Sequence, residues 1–163
     1  MDLKVIEEFP DYSISSDGQV VNNNTGRLLA LTINQRGVCQ VGLVKDGTQH
    51  KRSVALLVAK AFLDPPALEA FNTPIHLDGC KLNNRVDNLM WRPRWFAVRY
   101  QKQFEGWRGP QVPHRIIEIN TKMKFKSSWH AAKQFGLLDR DVAESIEHRT
   151  YVWPTYQQFR ILE

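Results

Sequence analysis

Residues 71–91 read FNTPIHLDGCKLNNRVDNLMW. His76 stands two places before the Asp78-Gly79 pair, Asn83, Asn84 and Asn88 follow, and Trp91 closes the stretch. Imidazole exchanges protons near neutral pH, while amides fix loops and offer oxygen donors, so the combination fits a small catalytic loop. A plain turn accounts equally well for the Asp-Gly pair.

Working outward, RSVALLVAKAFL (residues 52–63) carries apolar residues at helical spacing, with Ser53 placed to cap its start and Asp64-Pro65-Pro66 to stop it. On the other side, RPRWFAVRYQKQF (92–104) predicts a helix with Phe96, Tyr100 and Phe104 on one face and Arg99 and Lys102 on others. Residues 5–44 read as short strands and turns: YSISSDGQVVN alternates around an Asp-Gly turn, Asn24-Thr25-Gly26 makes another, and VCQVGLV alternates again. EGWRGPQVP (105–113) is rich in glycine and proline and reads as a linker. Beyond it, RIIEINTKMKFK predicts a hairpin, Ser127-Ser128 a cap, WHAAKQFG a helix stopped by Gly136, DRDVAESIEHR a second helix, and FRILE a last strand. The expected fold class is α+β, with a small antiparallel sheet over 1–50, a core over 51–104, the linker 105–113, and a hairpin plus helix-turn-helix module over 114–163.

The net charge of the 163 residues is +5, and it is unevenly spread. Residues 51–110 hold 10 basic and 5 acidic side chains, against 4 and 6 in residues 1–50 and 8 and 6 in residues 111–163. A basic centre interleaved with Trp91, Trp95, Phe96, Tyr100 and Trp107 suits a phosphate-contacting surface, although a solvated charged face has the same composition. Cys39 and Cys80 lie in no C-x-x-C or zinc-finger spacing and are expected as reduced thiols. The opening MDLKVIEEFPDY is too acidic and broken for a signal peptide, and no apolar run reaches the length of a membrane span, so a soluble, cytoplasmic protein without membrane contact is expected.

His76, Asp78-Gly79, Asn83-Asn84 and Asn88-Leu89-x-Trp91, preceded by the LLVAKAF helix, resemble the core of the HNH endonucleases found in phages and their introns. FPDYSISSDGQVVNNNTGRLL looks like the nuclease-associated module that precedes such cores, and FKSSWHAAKQFGL with YQQFRIL looks like the intron-encoded nuclease repeat that follows them. The order is that of phage homing endonucleases. The resemblance implies a ββα-metal-like HNH core, double-stranded DNA as partner, a phage source, and a divalent metal, Mg²⁺ or Mn²⁺, as cofactor if the chain is active. It makes His76 the general base that takes a proton from the attacking water. Asn88 would position the histidine or the loop, and Asn84 would tie the loop. Lys51, Arg52, Lys81, Arg85, Arg92, Arg94, Arg99 and Lys102 are the expected phosphate contacts of the core, and Lys122, Lys124 and Lys126, read as alternating along one strand face, those of the C-terminal hairpin.

The departures from the family are chemical. Its usual metal-ligating Asp or Asn before the histidine is Ile75 here, and the second ligand six residues past the tryptophan is Ala97. Ala55 stands for the family's helix histidine and Pro93 for a threonine. Hard divalent ions need oxygen or nitrogen anchors, so cleavage is expected to be weakened or lost unless Asp78 serves as a replacement ligand. Three readings follow: a DNA-binding descendant of a nuclease, an active metal-dependent endonuclease with His76 as base, and a fold recruited to a protein partner. The acidic helix with Asp139, Asp141, Glu144 and Glu147 would serve the last, since carboxylates facing a groove meet phosphate repulsion unless they read cytosine amino groups.

Overall fold

The computed structural model describes residues 2–163 and divides into two compact units, Met1–Ala97 and Val98–Glu163. In the first, β1 (Leu3–Ile6), β2 (Phe9–Ser15) and β3 (Val20–Asn22) form an antiparallel sheet in the order β1-β2-β3. A second antiparallel sheet joins β4 (Thr32–Ile33), β5 (Cys39–Lys45) and β6 (Thr48–Ser53). Strand β6 runs through residue 50, where the sequence reading places the end of the first module. Asp46 and Gly47 take left-handed conformations (φ 53° and 77°), the geometry of a two-residue hairpin, and this carries β6 back along β5 for six paired positions.

Helix α1 (Val54–Phe62) begins where expected: Ser53 Oγ accepts from the Leu56 amide, and the extended Leu63 ends the helix ahead of the two prolines. Its buried face, with Val54, Leu57 and Val58, packs with Phe9, Ile14 and Leu43 of the sheets. The hairpin of β7 (Thr73–His76) and β8 (Leu89–Arg92) follows, and a short 3-10 turn at Val86–Asn88 leads into β8. Leu89 enters the same core, and Trp91 Nε1 donates to the Asp64 carbonyl at 3.1 Å, so the Leu-x-Trp pattern ties β8 to the core and to the end of α1. Helix α2 (Arg94–Lys102) completes the ββα arrangement, and the division between the units falls within it.

In the second unit, β9 (Ile116–Glu118), β10 (Lys124–Phe125) and β11 (Phe159–Ile161) form an antiparallel sheet in the order β10-β9-β11. Helix α3 (Ser128–Phe135) is capped by Ser127 and ends at Gly136 in the left-handed conformation, φ 65°. Helix α4 (Asp139–His148) follows after the three residues 136–138. Ile116, Ala132, Leu137, Val142 and Phe159 bury the apolar faces of sheet and helices together. Residues 105–113 contain no helix or strand, as expected, yet they are held: the Gln111 amide donates to Asp139 Oδ2 at 3.0 Å, the Val112 amide to Ser128 Oγ at 2.9 Å, and Trp107 stacks on Trp129 at 5.3 Å.

Candidate active site

Strand register decides which side chains meet at the β7–β8 hairpin. His76 lies opposite Leu89 and Ile75 opposite Met90, so the imidazole and the Ile75 side chain point to opposite faces. The Leu77 amide still donates to the Asn88 carbonyl at 2.9 Å, and Gly79, at φ 76°, turns the chain out of the strand with its amide on the His76 carbonyl.

The amides of the loop close on one carboxylate. Asp78 Oδ1 accepts from the Cys80 amide at 2.8 Å and from Asn88 Nδ2 at 2.9 Å, while Asp78 Oδ2 accepts from Asn83 Nδ2 at 2.8 Å. Asn88, buried at the base, returns the bond by accepting from the Asp78 amide at 3.1 Å and also donates to the Asn83 carbonyl at 2.9 Å. Burial alone would raise the Asp78 pKa, but these three donors and the nearby imidazole outweigh it and hold the carboxyl below the usual carboxylate range.

Asn84 has a different task. Buried to 5 % exposure, it sets Oδ1 at 2.7 Å from His76 Nε2. A carbonyl oxygen only accepts, so Nε2 carries the proton and Nδ1 keeps the lone pair. Burial lowers the His76 pKa, and Lys81 adds to this, against the opposing effects of Asn84 and Asp78. At neutral pH the imidazole is therefore neutral and able to accept a proton. The N-terminal sheet braces this arrangement. A β-carbon on Gly18 (φ 91°) would lie 3.2 Å from Asn84 Cβ, and the Val86 amide donates to the Ser16 carbonyl at 2.9 Å. Gly18 is thus a positioning residue missed in the sequence reading, where the Asp17-Gly18 pair signals only a turn.

The residues present do not fit a divalent cation. Ile75, 3 % exposed, and Ala97 on α2 offer only carbon. Asp78, the expected replacement ligand, binds its own loop through both oxygens, Oδ1 taking two donors and Oδ2 one, so it would be at most a single anchor with no oxygen or nitrogen donor from Ile75 or Ala97 beside it. Among the described residues, no three His, Cys, Asp or Glu side chains cluster in a way that could hold a metal.

The expected phosphate contacts separate by environment. Arg92 is 6 % exposed, with its guanidinium over the Phe96 ring at 5.7 Å and a hydrogen bond to the Trp91 carbonyl. Its charge lies inside the fold, which corrects its place among surface cations. Arg52 pairs with Glu8 at 2.9 Å and lies over Phe9, Lys81 Nζ donates to the Arg36 carbonyl, and Arg85 pairs with Asp87 at 3.3 Å. Lys51, Arg94, Arg99 and Lys102 are exposed. Of the three lysines read as one strand face, only Lys124 lies in a strand; Lys122 sits in the hairpin turn at φ 64° and Lys126 in the bend after β10.

The ββα hairpin-plus-helix, with an imidazole on its first strand and an amide-bound loop, is the arrangement expected from the HNH resemblance. Residues 2–44 match the NUMOD4 motif. An uncharacterized HNH endonuclease of Acanthamoeba polyphaga mimivirus is 37% identical over 83 residues, covering 51% of this chain and 24% of the relative. The H-N-H endonuclease F-TflII of Escherichia phage T5 is 34% identical over 88 residues, covering 54% and 46%. The chain thus spans less than half the length of these relatives. The HNH homing endonuclease I-HmuI, which binds and cleaves DNA, shares the fold at a TM-score of 0.57 and 23% identity, over 99% of this chain and 98% of that one. These matches make the chain similar to HNH endonucleases in sequence over about half its length and to an HNH homing endonuclease in fold.

Proposed function

We propose that the chain binds double-stranded DNA and that its capacity to cleave has been weakened or lost. The observation that carries this reading is the donor set: carbon side chains at Ile75 and Ala97, which leave Asp78, already bonded to Asn83, Asn88 and the Cys80 amide, as a lone carboxylate anchor. A bound ion would supply electrostatic stabilisation of the charge that builds on a scissile phosphate, a contribution of several kcal/mol in metal-dependent enzymes. Without it, a neutral imidazole can accept a proton from water but leaves that charge unmet. DNA as the partner is supported by the kinship with HNH endonucleases and by the exposed cations Lys51, Arg94, Arg99 and Lys102.

A second reading, an active endonuclease, has one observation in its favour: His76 keeps the geometry of a base, with Nε2–H fixed by Asn84 and Nδ1 unprotonated. Nicking of supercoiled plasmid in Mg²⁺ or Mn²⁺ separates the two. The expected result is no nicking above background by either the natural chain or His76→Ala, with binding of a mixed-sequence duplex that weakens steeply with salt. The double variant Ile75→Asp/Ala97→Asn, which restores the two donors, is expected to gain metal-dependent nicking. Nicking by the natural chain that His76→Ala abolishes would establish the active enzyme instead. No duplex binding at low salt would move the function to a protein partner.

A further inference from the structure

The sheet of the second unit turns its two faces to different chemistry. Ile116 lies opposite Phe125 and Ile161, and with Phe159 this face supplies the buried core. On the other face, Ile117 lies opposite Lys124 on one side and opposite Arg160 on the other. Partners in an antiparallel register share a face, so two cations flank Ile117 across three strands. Strand alternation adds Arg115, two residues before Ile117, whose carbonyl continues the ladder by accepting from the Leu162 amide at 2.9 Å. Lys126 follows two residues after Lys124 in the bend that leads to α3.

Arg115, Lys124, Lys126 and Arg160 are all exposed, and none forms an ion pair with an acid among the described residues. Glu118, the acid in β9, alternates to the core side, where it lies opposite Phe159 and its carboxylate binds the Asn120 and Thr121 amides. The contrast with α4 is in the balance of charge. There Arg140 is already paired with Glu144 at 3.0 Å, and Asp141, Glu144 and Glu147 dominate the helix. Lys124 and Arg160 on the sheet face, with Arg115 and Lys126 just beyond the ends of their strands, complement a polyanion, and a helix rich in carboxylates does not.

We propose that the exposed cations around the buried Ile117 of the β10-β9-β11 sheet form a phosphate-gripping surface of this chain, with Arg115, Lys124, Lys126 and Arg160 contacting the backbone of duplex DNA. The assignment rests on the reading of the chain as a DNA-binding protein. It makes the C-terminal sheet, rather than α4, a contributor of charge to binding beside Arg99 and Lys102 of the same unit, without regard to base sequence.

The test is the salt dependence of binding to a mixed-sequence double-stranded oligonucleotide, measured for the full chain and for the variant carrying Arg115→Gln, Lys124→Gln, Lys126→Gln and Arg160→Gln. Each lost phosphate contact lowers the slope of log affinity against log salt by about 0.9, so the fourfold variant should lose about 3–4. Circular dichroism checks its folding. Should it fail to fold, the pairs Lys124→Gln/Arg160→Gln and Arg115→Gln/Lys126→Gln are each expected to lose about 2. Arg140→Gln is expected to leave the slope unchanged. A natural chain that binds with a slope indifferent to the fourfold change, or to both pairs, overturns the assignment and leaves the DNA-binding reading standing. A natural chain that binds no duplex at low salt overturns both.

Discussion

Two turns of this molecule are each gathered around one carboxylate, the 76–88 loop around Asp78 and the β9–β10 turn around Glu118, and they differ in what stands beside them. Asp78 accepts from one backbone amide and two asparagine side chains; Glu118 accepts from the amides of Asn120 and Thr121 and from the Thr121 hydroxyl. In both, burial would raise the pKa and the hydrogen bonds more than reverse it. No imidazole is among the hydrogen-bond partners of Glu118 in the described residues. A carboxylate surrounded by donors is therefore an ordinary means of fixing a turn here, and Asp78 does in the 76–88 loop what Glu118 does in the hairpin. What sets the loop apart is His76, held by Asn84 at its outer nitrogen.

The largest effect should come from removing the more enclosed anchor. Glu118→Ala leaves the Asn120 and Thr121 donors without their acceptor, and Glu118 is 1 % exposed. Because the turn lies close to solvent and water can partly replace the carboxylate, the expected loss is about 1–3 kcal/mol. Thermal or denaturant unfolding measures it. A loss indistinguishable from zero would mean that the carboxylate does not hold the β9–β10 turn.

Asp78→Ala should behave alike on a smaller scale, about 1 kcal/mol, since Asp78 is exposed and Asn83 can turn to water. Its diagnostic readout is ionic: millimolar Mg²⁺ or Mn²⁺ should not raise the unfolding midpoint of the natural chain. A rise that Asp78→Ala removes would make Asp78 a ligand and end its likeness to Glu118. Both carboxyls have depressed pKa values in the folded chain. The stability each contributes is thus present above the unfolded-state pKa and is lost as pH falls through the folded value, so each alanine variant should show a shallower acid-side decline than the natural chain.

How far such distinctions are legible in the sequence depends on the range of the interaction. Ser53, Asp64-Pro65-Pro66 and Gly136 bound their helices through local backbone chemistry, and the sequence pattern locates them. Strand β6, TQHKRS, is partly or fully exposed along its length and has no apolar alternation, so only the Asp46-Gly47 turn signals it. The 105–113 segment shows its breaks but not its anchors, because Asp139 and Ser128 lie 28 and 16 residues from the amides they hold. In the site, His76, Asn84 and Asn88 are marked by their motif. Whether Asp78 faces an ion or its own amides depends on loop closure, and the burial of Arg92 on tertiary packing; neither has a local signature.

The smallest effect addresses the imidazole itself, the one group that the Glu118 turn lacks. Burial leads the depression of the His76 pKa below 6.5, so the unfolded chain takes up the proton first as pH falls. Stability from this group is fully present above about 6.5, the unfolded value, and is lost as pH drops through the folded one. His76→Ala should remove that segment of the stability profile. Nuclear magnetic resonance of the ring should give a titration midpoint below 6.5 in the natural chain. Asn84→Asp should move it upward, because a carboxylate beside Nε2 favours the imidazolium where an amide oxygen only orients the neutral ring. A midpoint that ignores Asn84→Asp would mean the 2.7 Å contact does not persist in solution, and the loop would then be a turn of the Glu118 kind with a histidine at its edge.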